Sequence, residues 1–221
     1  MNCGEGGCRK NRREILLHSC CAVCTIFPEK RLAEDGWEIT GFFYNPNIHP
    51  FTEFERRLFA VRDYYRNIAT PLVIDAHYDV LEYLKTVTVN ERRCERCYRL
   101  RLFDSAKRAR SLGITVFSTT LLFSVHQDHD AIREIGAEAA REHGVDFYYE
   151  DFRKGWEEGT RASRDRGIYR QKYCGCIASE EERFKKRIER LQNHLMPSEE
   201  TGEKRARAIG ILTSRAERRS S

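Results

Sequence analysis

No stretch of this chain approaches the ~20 apolar residues that a membrane-spanning helix requires, which argues against a bilayer-embedded protein. The first residues carry charge but no apolar stretch followed by a small-residue cleavage site, which speaks against a secretory signal. Internal repeats and low-complexity arrays are also missing. Glycine is absent from residues 19–24, SCCAVC, the loop after the first apolar run. A backbone without glycine there cannot approach a phosphate closely, so a pyrophosphate-cradling loop, and with it nucleotide hydrolysis, is disfavoured. The expectation is a cytoplasmic protein that keeps its thiols reduced rather than a secreted disulfide scaffold.

Cysteine is what the chain has in excess. Nine are present, and seven fall into three tight groups: Cys20, Cys21 and Cys24; Cys94 and Cys97; Cys174 and Cys176. Thiols grouped this way hold a metal or carry out redox chemistry. Cys3 and Cys8 stand in a Gly-, Asn- and Arg-rich opening segment and are read as incidental.

The formal net charge is +5, and its placement matters more than its size. From Arg183 onward eleven Lys/Arg face five Glu, so the basic surplus lies in the C-terminal segment. A second basic knot, Arg92, Arg93, Arg96, Arg99 and Arg101, surrounds the CxxC. Such patches attract polyanions, nucleic acid above all, although most charge runs are solvated helix faces.

Apolar periodicity and turn residues divide the chain into alternating strands and helices. Strands are expected at 14–19, 37–44, 71–74, 114–119 and 145–149. Helices are expected at 24–35, 51–68, 78–86, 94–112, 128–142 and 180–195. Residues 150–173, mixing Gly, Arg and Tyr, read as a long loop. The pattern predicts an α/β fold with an open, mainly parallel sheet, Rossmann-like and similar in plan to the PP-loop group, with a helical C-terminal extension. The expected division is a flexible leader over 1–13, one catalytic domain over 14–184 and a basic tail over 185–221. In such a sheet ligands bind beyond the C-terminal strand ends, where Cys20 and Cys21 fall.

Two CxxC spacings, Cys21/Cys24 and Cys94/Cys97, supply four thiolates, enough for tetrahedral zinc or an iron–sulfur cluster, and spacing does not choose between them. The start of a helix after the first strand favours a thiolate or an anionic cluster. A disulfide across Cys174-Gly175-Cys176 would close a small strained ring, which suits a redox shuttle more than a structural staple.

Five motifs in order, HSCCAVC (18–24), FFYNPNIHP (42–50), RCERCYRLRL (93–102), FSTTLLFSVHQ (117–127) and YCGC (173–176), resemble the epoxyqueuosine reductase family of the QueH type over roughly residues 15–184. The resemblance implies cobalamin-independent reduction of the epoxide of epoxyqueuosine, at the wobble position of tRNA with a GUN anticodon, to the alkene of queuosine. It implies a 4Fe-4S cluster on Cys20, Cys21, Cys94 and Cys97, with an adjacent mononuclear iron. Cys24 stands where some relatives carry Asp, which gives it to the adjacent metal. Cys174 and Cys176 become a redox-active disulfide re-reduced by an external electron donor. Arg92, Arg93, Arg96 and Arg99 are then candidates for tRNA phosphates, and Tyr44, Phe51, Tyr98 and Tyr173 for base stacking. His18, His126 and Asp128 are candidate proton donors by proximity to the motifs. The competing reading is a zinc-stabilised RNA-binding protein without catalysis, which leaves Cys174 and Cys176 idle.

Overall fold

The computed structural model describes residues 13–87 and 92–195, in two compact units that meet in sequence between Cys176 and Ile177. Cys3, Cys8 and the basic segment beyond residue 195 lie outside the described residues.

The first unit is built on a five-stranded, all-parallel sheet in the order β3-β2-β1-β4-β5. Its centre is β1 (Arg13–His18), in which Ile15, Leu16, Leu17 and His18 are all buried. Side chains on both strand faces find cover, which only a central strand of a sheet with helices on both sides provides. Next come α1 (Ala22–Glu34), β2 (Trp37–Tyr44), α2 (Phe51–Asn67) and β3 (Leu72–Asp75). After them the chain crosses back through α3 (Val80–Val87) and α4 (Arg93–Ser111) to β4 (Val116–Thr119), on the other side of β1. A 3-10 turn at Thr120–Phe123, α5 (His129–His143) and the short β5 (Asp146–Phe147) extend the sheet in that direction. Right-handed crossovers in this order put α1 and α2 on one face and α4 and α5 on the other. The order reverses between β1 and β4, so the C-terminal ends of those two strands open the crevice where such sheets bind ligands.

Two close approaches shape the crevice side of the sheet. Gly41 in β2 leaves room for the Tyr65 ring of α2, whose carbons lie 2.4–2.9 Å from where a Cβ would stand. Tyr65 thereby reaches the end of β1, where its hydroxyl pairs with Ser19 Oγ at 2.8 Å.

The expected loop at 150–173 is the main departure. It holds a 3-10 turn at Phe152–Gly155 and the helix α6 (Trp156–Asp165), which packs on α1. The buried positions of this segment are Phe152, Gly155, Gly159 and Ser163. A Cβ on Gly155 would fall 2.1 Å from the Phe27 ring, and one on Gly159 2.8 Å from the Phe123 ring. Phe152 and Trp156 pack on the core at the start of the segment, but the buried positions further along α6 are small and the rings over Gly155 and Gly159 belong to other segments, so α6 shows no apolar period. Two helices also begin earlier than expected: α1 at Ala22 and, in the second unit, α7 (Ile177–Leu195) at Ile177. Among the described residues no helix is long and apolar enough to cross a membrane.

Candidate metal and redox centre

At the end of β1 the chain turns sharply into α1, and that turn gathers Cys20, Cys21 and Cys24. Their sulfurs lie within 4.8 Å of one another. Cys21 is the N-cap of α1, its Sγ accepting the Cys24 N–H at 3.2 Å, which holds the second and third sulfurs on one helical turn. Cys20 is tied to the end of β4: its N–H donates to Thr120 Oγ1 at 3.0 Å, and the Thr120 hydroxyl donates to Cys20 Sγ at 3.3 Å. Cys21 and Cys24 are buried and Cys20 half-buried, and all three are free thiols.

Three thiols this close titrate as one unit. Hydrogen bonds from Cys21 and Cys24, joined by one from Thr120, hold the Cys20 thiol well below the usual thiol range. Burial pushes Cys21 up, and hydrogen bonding to Cys20 and Cys21 pushes Cys24 up. The neighbouring His18 is driven down to about 4, chiefly by burial and then by Arg101, so it is a neutral imidazole. Its nitrogens meet Thr119 Oγ1 at 2.9 Å and the Tyr44 carbonyl at 3.1 Å, bracing β1 against both neighbouring strands.

The second group opens α4, with Cys97 buried and Cys94 exposed one turn earlier. Both stand outside the 4.8 Å sulfur set. Desolvation raises Cys94, and Cys97 and Cys176 are among the charges that bear on it.

The third group, Cys174-Gly175-Cys176, is fastened by its backbone. Arg57, buried in α2, donates from Nη1 to the Cys174 carbonyl at 2.7 Å and from Nη2 to the Tyr173 carbonyl at 2.9 Å, while its Nε meets Glu53 at 2.7 Å. The Tyr169 hydroxyl donates to the other Glu53 oxygen. The His49 N–H donates to the Gly175 carbonyl at 2.8 Å, and the Tyr173 hydroxyl to the His49 carbonyl at 2.5 Å. Gly175 has φ +144°, and a Cβ there would meet Asn47 at 3.0 Å and Ile48 at 3.1 Å, so glycine is what this position accepts. Cys176 is buried. Cys174 is exposed as a residue, yet desolvation of its thiol raises it to about 11, and Arg101, Cys97, Cys176 and Cys20 are the charges bearing on it. The electrostatic surroundings of Cys174 therefore include all three cysteine groups.

Several contributors carried no signal in the sequence. Gln171 donates from Nε2 to Cys21 Sγ at 2.8 Å, while its Oε1 is buried without a partner. Gln127 reaches Cys174 Sγ at 3.6 Å and is itself held by the Tyr98 hydroxyl at 2.9 Å. Of the stacking candidates, Tyr98 is buried, Tyr173 lies over Arg57, Tyr44 stacks on Phe42, and Phe51 is half exposed. Asp128 caps α5. Of the basic knot, Arg92 is exposed beside Glu95, Arg93 and Arg96 are half-buried, and Arg99 grips Glu138 with both Nη atoms at 2.5 and 2.6 Å. Arg101, counted with that knot as surface charge, is buried at 1 % exposure.

The donor chemistry fits a soft metal centre. Three free sulfurs lie in mutual reach, two of them buried and one half-buried, at the N-terminus of a helix, and the buried guanidinium of Arg101 has no carboxylate partner among the described residues.

Comparison with known proteins agrees with the motifs. The family model for epoxyqueuosine reductase QueH matches residues 15–182. Curated relatives named epoxyqueuosine reductase QueH include one from Dehalococcoides mccartyi, 42 % identical over 78 % of this chain and 96 % of that protein. Another, from Thermotoga maritima, is 36 % identical over 82 % of this chain and 98 % of its own length. A solved structure, the zinc-inhibited form of teicoplanin deacetylase Orf2, superposes over 61 % of this chain with a TM-score of 0.40 at 11 % identity, too distant to bear on fold or function. The matched span begins in β1, takes in every grouped cysteine and ends in α7, and on that extent of agreement the chain belongs to the epoxyqueuosine reductase QueH family.

Proposed function

We infer that this chain reduces the epoxide of epoxyqueuosine in tRNA to the alkene of queuosine. Family membership over residues 15–182 supports the reaction, and the observation that carries its location is the Cys20, Cys21 and Cys24 sulfur triad at the end of β1. Cys20, Cys21, Cys94 and Cys97 would hold a 4Fe-4S cluster, and Cys24, inside the sulfur triad, would face an adjacent iron. Bound there, such a centre supplies one-electron transfer and a Lewis-acidic position for the epoxide oxygen.

The rest falls to side chains. Net reduction takes two electrons and two protons and releases the oxygen as water. The Cys174 and Cys176 thiols together release two electrons and two protons when they close to a disulfide, so the balance is complete. An external electron donor then restores the dithiol. Burial keeps Cys174 protonated at neutral pH, so its proton is retained until oxidation. The backbone clamp from Arg57 and His49 keeps both thiols in one register. Arg92, Arg93, Arg96 and Arg99 would meet phosphates of a GUN-anticodon tRNA in the reducing cytoplasm.

The test is anaerobic incubation with epoxyqueuosine-containing tRNA followed by nucleoside analysis. Wild type should form queuosine and Cys94→Ala should not. A colourless protein that contains only zinc and binds tRNA without reducing it would overturn the reading.

A further inference from the structure

Two arginines are buried beside the cysteine groups, and their charges are balanced differently. Arg57 has a carboxylate partner, Glu53, at 2.7 Å. Arg101, 1 % exposed, has none among the described residues. Its Nε donates to the Cys97 carbonyl at 3.2 Å, and its Nη2 is buried without a partner. The groups whose charge bears on it most are Cys97, Cys174, Cys20 and Tyr83, with no Asp or Glu among them. A guanidinium is charged at every accessible pH, and a buried charge without a counter-charge costs several kcal/mol. The fold keeps it buried one helical turn after Cys97, bonded to that cysteine's carbonyl.

We propose that Arg101 is the built-in counter-charge of the cysteine-held centre: it balances the negative charge that thiolate ligands bring and thereby raises both metal retention and reduction potential. This rests on the metal-centre reading above. Arg101 is a positioning and electrostatic residue, since it acts on the centre rather than on the substrate. Adding an electron to an anionic centre is easier beside a fixed positive charge, so removing that charge makes the potential more negative. In metal-free protein the charge of a bound centre is absent, and Arg101 is left buried with no carboxylate partner among the described residues.

The test uses the full chain, anaerobically loaded with iron and sulfide and, separately, stripped by chelation. Arg101→Met should hold iron about 10–100-fold less tightly against a chelator. Its midpoint potential should move to more negative values. Its metal-free form should melt at or above the wild-type temperature, whereas its loaded form should melt below. Arg101→Lys, which keeps the charge, should recover most of the potential, and it carries the same test if the Met variant does not fold. Loaded Arg101→Met with wild-type retention and potential would overturn the counter-charge. So would an equal loss of stability in both forms, which marks a packing role. Wild type that takes up neither iron nor sulfide would instead defeat the metal-centre reading itself, and the counter-charge with it.

Discussion

Replacing Arg57 with Met should be among the most destabilising single changes in this chain. Its side chain is 2 % exposed, and three of its nitrogens are engaged: one to Glu53, itself 8 % exposed, and two to the carbonyls of Tyr173 and Cys174. Methionine fills the volume but leaves a buried carboxylate without its cation and two carbonyls without donors. Breaking one side of a buried ion pair costs about 3–5 kcal/mol. An orphaned carbonyl costs about 1–3 kcal/mol unless water reaches it. With Cys174 at the surface, solvent can enter there, so the ion-pair figure dominates. A loss of about 3–5 kcal/mol corresponds to a drop in Tm of roughly 6–20 °C for a domain of this size. The assay is urea unfolding of Arg57→Met, Glu53→Gln and the double variant at neutral pH. The double variant should recover at least about 2 kcal/mol of the summed single losses, because no buried charge remains. Arg57→Lys should fall between wild type and Met, since an ammonium cannot serve three acceptors in a fork. Faster alkylation of Cys174 in Arg57→Met should accompany the loss, as the carbonyl clamp is gone. A cost below about 1 kcal/mol for Arg57→Met, or strictly additive losses in the double variant, would refute the reasoning.

Gly175→Ala forces a side chain onto φ +144° and against Asn47 and Ile48, and should cost about 1–3 kcal/mol; an unchanged Tm would refute the claim that only glycine fits. Gln171→Leu removes the N–H aimed at Cys21 Sγ and should weaken iron retention about 10-fold, read by chelator competition; wild-type retention would show that the contact does not matter to the centre. In tRNA binding, Arg92→Ala, whose Glu95 partner lies at 3.7 Å, should lower the slope of log K against log salt by about 0.7–1, whereas Arg99→Ala, held by Glu138 at 2.5 Å, should change it less; equal changes would refute the distinction.

The alternation of strands and helices was legible because each element carries its own period, and β2 spans the residues the pattern predicts. The face of α6 was not legible. Gly155, Gly159 and Ser163 recur every four residues, but their apolar partners Phe27 and Phe123 belong to other segments, and small residues leave no hydrophobic period. The grouping of Cys20, Cys21 and Cys24 was legible from spacing, and its place at the end of β1 from the strand-end rule. Which arginine faces inward was not: Arg99 and Arg101 are two residues apart on α4, so the same basic run contains a surface ion pair and a fully buried cation. The Arg57 clamp spans 117 residues, a distance over which local patterns are silent.

The same geometry bears on the nucleotide-hydrolysing alternative. A phosphate at the end of β1 needs free backbone N–H groups along the turn into α1. Here the Ser19 N–H is bonded to the Phe42 carbonyl at 2.8 Å, the Cys20 N–H to Thr120 Oγ1 at 3.0 Å and the Cys24 N–H to Cys21 Sγ at 3.2 Å. Three donors of the turn are thus engaged inside the protein, one of them by a sulfur. The absence of glycine from residues 19–24 and this pattern of hydrogen bonds have one cause: the turn presents side chains rather than backbone to the crevice. A turn built that way, at a helix N-terminus, offers a ligand the sulfurs of its own side chains. The crevice in which other α/β folds bind a nucleotide is, in this chain, lined by three free thiols within 4.8 Å of one another.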